Sequence, residues 1–139
     1  LLLAILSAPL AIAAENRNPS PQSVFRVVDF GATADNGKDA GPAVLAAMDA
    51  ALAADGPTKV VFPRGELIIG SASINDRLFL SIIGRNALTL EGDQTLLILK
   101  DSPRATALLI EDFKDITIRG LAFDYDPLPY VSIALAGGR

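Results

Sequence analysis

Val24-Phe25-Arg26-Val27-Val28-Asp29-Phe30 leads into Gly31-Ala32 and the polar run Asp35-Asn36-Gly37-Lys38, and together these open the stretch 24–67 around which the chain is organised. The first seven residues are rich in β-formers and predict a strand. Gly31-Ala32 marks a turn. Asp39 or Gly41 is placed to cap a helix, with Pro42 at its first position. Val44, Leu45, Met48 and Leu52 recur at helical spacing with alanines between them, which predicts a helix over 42–54. Gly56-Pro57 stops it. Lys59-Val60-Val61-Phe62 predicts the next strand, and Pro63-Arg64-Gly65 the turn that follows. One narrow, Ala-rich helix ahead of many short strands predicts a cap over the first rung of a strand stack, because an open rung leaves N–H and C=O groups unpaired.

Past the helix, apolar runs at 66–69, 78–83, 88–90, 95–99, 107–110, 116–118 and 121–123 are separated by glycines and acidic turns. Two of them repeat. Leu88-Thr89-Leu90-Glu91-Gly92 matches Ile116-Thr117-Ile118-Arg119-Gly120 in the pattern apolar-Thr-apolar-charged-Gly, 28 residues apart. Stacking would place Leu88 under Ile116 and Leu90 under Ile118, about 4.8 Å apart, with the threonines and charges outward. An antiparallel sandwich also gives short strands with turn signals. The helix-first order favours the parallel stack.

The ordered set Val28-Asp29-Phe30-Gly31-Ala32, Asp35-Asn36-Gly37-Lys38-Asp39, an Ala-rich helix and Val60-Val61-Phe62-Pro63-Arg64-Gly65 resembles the N-terminal module of the pectate-lyase-like superfamily. The match is close over 24–67 and looser to Tyr130. Members often carry a second acidic residue or Thr in the helix-start loop, where this chain has Ala40-Gly41-Pro42. The resemblance implies an all-β fold, a right-handed parallel β-helix (solenoid) with an N-terminal capping α-helix, and action on polysaccharides. In such enzymes the catalytic groups stand on later turns, so a chain supplying about three turns reads as a truncated, N-terminal part. Residues 131–139 read as an atypical or out-of-register tail.

Composition bounds the rest. The chain has 139 residues, half of them hydrophobic, and few aromatics. One domain with an aliphatic core follows. There is no cysteine and no histidine. Disulfides, Cys/His zinc sites and Ser-His or Cys-His catalysis are excluded within these residues. A net charge of −4 argues against nucleic acid and anionic membrane as partners. The apolar run 1–14 ends in Ala11-Ile12-Ala13-Ala14 and is broken by Glu15, Asn16 and Arg17. It is too short for a membrane span and predicts part of a signal peptide, hence a secreted or periplasmic protein, with 15–23 as a linker to a domain over 24–130.

Chemistry is densest in Asp124-Tyr125-Asp126-Pro127-Leu128-Pro129-Tyr130. Asp124 and Asp126 sit two apart, so an extended chain projects both carboxylates from one face, with Cα atoms about 6.6 Å apart at strand rise. An inverting glycosidase separates its carboxyls by a comparable distance. These two are the candidate catalytic pair, and Tyr125 and Tyr130 are candidates to stack on sugar rings. Aspartates beside Pro127 and Pro129 equally describe a turn leaving a strand, the simpler reading. Asp29, Asp35 and Asp39 match no calcium-loop spacing and read as capping and turn residues. Arg64 and Arg119 would suit an acidic sugar, with solvated charges on outer faces the simpler reading. No metal and no cofactor is expected. The expected partner is a polysaccharide or oligosaccharide, and the expected activity glycoside hydrolysis, with polysaccharide lyase or a non-catalytic carbohydrate-binding protein as alternatives.

Overall fold

The computed structural model describes residues 22–128. Residues 1–14, read above as part of a signal peptide, most of the expected linker 15–23, Tyr130 and residues 131–139 lie outside the described residues. The described chain is mostly β, with parallel sheets and one helix. In order it forms β1 (Ser23–Arg26), a 3-10 turn (Val27–Phe30), α1 (Gly41–Ala53), β2 (Thr58–Val61), β3 (Gly65–Ile69), a 3-10 turn (Ser71–Ser73), β4 (Leu78–Ile83), β5 (Asn86–Lys100), β6 (Thr106–Glu111) and β7 (Lys114–Asp126).

The pairings between these strands are all parallel. β2 lies between β1 and the first half of β5, with Thr58 beside Leu88 and Val60 beside Leu90. β3 pairs the second half of β5, with Leu67 beside Leu97 and Ile69 beside Leu99. β7 runs along the other edge of β5. β4 and β6 form a separate pair, with Leu80 beside Leu108. Leu88 meets Ile116 and Leu90 meets Ile118, in the register the repeat predicts. An antiparallel sandwich is thereby ruled out. Partners are 26 residues apart at Leu97 and Phe123, 28 at Leu88 and Ile116, and 30 at Thr58 and Leu88.

Alternation sets the core. Val60, Leu67, Ile69, Leu80, Ile82, Leu88, Leu90, Leu97 and Leu99 are buried, each contributing roughly 1.5–3 kcal/mol. In β6 and β7 the equivalent positions Leu108, Ile110, Ile116, Phe123 and Tyr125 are only half-buried. α1 packs on β1, β2 and both 3-10 turns, burying Val44, Ala47, Met48 and Ala51 at helical spacing. Leu52 is half-buried against the same core.

Four boundaries differ from the sequence reading. The first strand stops at Arg26, because Val27 turns fully inward and the chain coils through a 3-10 turn closed by Gly31. The helix begins at Gly41, with Ala40 as its cap residue and no side-chain cap. Asp39 acts one step earlier, its Oδ1 accepting from the N–H groups of Gly41 (2.8 Å) and Gly70 (2.9 Å). The runs on either side of Gly92-Asp93 form one strand, β5, with a register irregularity at the corner, and those flanking Gly120 are likewise one strand, β7.

Candidate functional site

The outward end of β7 carries the predicted carboxylates. Phe123 and Tyr125 point toward the core, and Asp124 and Asp126 fall on the exposed face. Parity alone imposes this, since Leu121 is inward and side chains alternate. Asp124 Oδ1 accepts from the Tyr125 N–H at 2.8 Å. Asp126 is engaged by the Lys100 ammonium of the neighbouring strand β5. Lys100 has its pKa raised, first by that hydrogen bond, then by the charge of Asp126, with a smaller contribution from Asp101. Both carboxylates thus share one face, and only Asp126 has a cationic partner.

Tyr125 does not present its ring outward. Its hydroxyl donates to the Ala105 carbonyl at 2.7 Å, tying β7 to the turn that precedes β6. Asp101 N–H donates to the Asp126 carbonyl at 2.8 Å, tying the other end of that turn to the same strand. Tyr130 lies outside the described residues.

Behind this turn is a cleft of about 300 Å³, between segments 74–77 and 101–105. Arg77, Asp101, Ser102 and Arg104 line it with the apolar groups of Ile74, Pro103 and Ala105. Two tight turns build its walls. Leu78 N–H donates to Asn75 O (2.7 Å) and Asn75 N–H to Leu78 O (3.0 Å), closing a turn with Asp76 and Arg77 at its centre. Ala105 N–H donates to Ser102 O (3.0 Å), closing a second with Pro103 and Arg104 at its centre. Thr106 N–H donates to Arg77 O at 2.6 Å and joins the two. The sequence reading passed over this cleft. Its signals were Asn75-Asp76 and Ser102-Pro103, both turn-formers followed by arginine.

The other singled-out residues are committed to neighbours. Arg64 contacts Gln94 (2.6 Å) and Asp93 (3.6 Å). Arg119 and Lys59 both bind Glu91, at 2.7 and 2.8 Å, across three adjacent strands. Glu91 is lowered from its ordinary 4.5 to about 2, chiefly by the Arg119 hydrogen bond and then by that of Lys59. Asp35 Oδ1 accepts from Glu66 N–H (2.8 Å) while Asp35 N–H donates to Glu66 O (2.9 Å), so it covers the edge of β3 as a strand would. Asp29 is exposed. Among the described residues no group of three or more acidic side chains converges to hold a metal. No family model matches the chain, and no curated protein matches it.

Proposed function

We infer that this chain belongs to an exported carbohydrate-active protein built as a right-handed parallel β-helix of the pectate-lyase-like kind, with glycoside hydrolysis as its first reading. The observation that carries this is the register: strands separated by 26 to 30 residues pair in parallel, beneath a helix laid on the first strands. A coil of that period offers long outward faces on which a glycan can lie. Asp124 and Asp126 stand on such a face, about two strand positions apart, a spacing compatible with an acid and a water-activating base.

The Lys100 ammonium on Asp126 favours a second reading, carbohydrate binding without turnover. A carboxylate already held by a cation is a poor proton donor, and a glycosidase needs one carboxyl as general acid. Export rests on the apolar run 1–14 and its Ala11-Ile12-Ala13 end. It predicts a mature N-terminus at Ala14 or Glu15, and terminal analysis of secreted material showing an intact Leu1 would refute it.

The test is affinity electrophoresis of the chain through gels containing pectic, galactan and bacterial polysaccharides, paired with reducing-sugar and unsaturated-product assays. Retardation by at least one polysaccharide, without turnover by these residues alone, is expected. No retardation by any of them counts against the carbohydrate reading. Turnover that Asp124→Asn or Asp126→Asn abolishes would assign catalysis to those two residues.

A further inference from the structure

We propose that the cleft between segments 74–77 and 101–105 is a binding site for a small oxyanion, a carboxylate or a sulfate, held by Arg77 and Arg104. Three independent features converge there. First, both arginines occupy the third position of a tight turn, and both turns line one cleft of about 300 Å³. Second, the ion pairs among the described residues use Lys59, Arg64, Lys100 and Arg119. Arg77 and Arg104, both exposed, enter none of them, so the two arginines in the cleft lining have no ion-pair partner among the described residues. Guanidinium is the side chain best shaped to take a planar or tetrahedral oxyanion through paired N–H donors.

The third feature is local backbone cost. Asp76 and Arg77 have φ of +46° and +63°. Two successive left-handed residues closed by hydrogen bonds in both directions match the two-residue turn for which Asp-Gly is a preferred pair. Here arginine stands where glycine would be free of strain. Non-glycine residues held at positive φ cost energy and tend to cluster at ligand sites, and Arg77 is such a residue in the lining of the cleft. Asp101 also lines the cleft, and its one negative charge is outnumbered by the two arginines. Asp101 and Ser102 suit hydroxyl groups on the same ligand, and Ile74 and Pro103 give it an apolar floor.

The inference stands apart from the carbohydrate reading, because a simple anion probes it. The 139-residue chain is titrated with sodium glucuronate, glucose and inorganic sulfate, following backbone amide shifts by NMR. Saturable glucuronate shifts confined to residues 74–77 and 101–105 are expected, with none from glucose. Competition by sulfate marks a general oxyanion site; its absence narrows the ligand to a carboxylate. Arg77→Gly and Arg104→Gln should each weaken binding tenfold or more. Arg77→Gly relieves the turn, so its melting temperature should equal or exceed the parent's. Equal response to glucose, shifts elsewhere, or parent-like binding by both variants overturns the proposal, as does an Arg77→Gly chain that melts lower while binding as before.

Discussion

Gly92 and Gly120 stack at the same corner of successive strands, and the contact leaves no room for a side chain. A Cβ on Gly120 would fall on the Gly92 carbonyl, and Gly120 also has φ of +69°. Gly84 has a similar φ of +65° but open space around it, which makes it the control. Gly84→Ala should cost about 1–2 kcal/mol from backbone strain alone. Gly120→Ala should exceed it by at least about 1 kcal/mol, measured by urea unfolding, because the obstructing atoms are backbone and cannot swing aside. Glu91 supplies a second residue-scale expectation. Its carboxylate, lowered to about 2 by Arg119 and Lys59, binds a proton more readily in the unfolded chain. Its contribution is therefore complete above about pH 4.5 and fades as pH falls toward 2. Its side chain is one-third exposed, so salt should blunt the effect. Melting temperatures between pH 5 and 2.5 should fall less steeply in Glu91→Gln than in the parent.

At the scale of the element, α1 is held by packing and by one loop carboxylate. Met48 is 2% exposed among the first strands, while Ala46 on the same helix is exposed. Met48→Asp should cost about 3 kcal/mol or more, since an unpaired charge would enter an apolar contact; Ala46→Asp should cost little. Parent-like melting of Met48→Asp would show that the helix does not cover the strands. Asp39 joins the helix start to the end of β3 through two N–H groups. Asp39→Ala should lose about 1–2 kcal/mol, and hydrogen exchange should quicken at both Gly41 and Gly70.

Over the whole molecule, the strand pairings bring together residues 26 or more positions apart. Each pairing must close a long loop before any contact rewards it. Refolding monitored by stopped-flow fluorescence should accordingly run in milliseconds to seconds, and a microsecond phase carrying the full amplitude would contradict this. Burial also declines along the stack, from fully buried Leu97 and Leu99 on β5 to half-buried Phe123 and Tyr125 on β7. Leu88→Ala on β5 should therefore lower the melting temperature more than Ile116→Ala at the paired position on β7.

The sequence by itself determined what depends on near neighbours along the chain. Short apolar runs placed most of the strands, helical spacing placed Val44 and Met48, and the matched positions Leu88/Ile116 and Gly92/Gly120 gave a register that the helix-first order favoured as parallel. The tertiary structure decided what depends on segments distant in sequence. Asp39 resembled a helix cap until Gly70, 31 residues on, shared its carboxylate. Tyr125 resembled a surface aromatic until the inward row of Ile69 and Leu99 set its parity and Ala105 took its hydroxyl. Arg77 and Arg104 belong to turns 27 residues apart and share a cleft only because β4 and β6 lie side by side. Local propensity acts over a few bonds, whereas a cleft between distant turns exists only once the parallel strands beside it are in register.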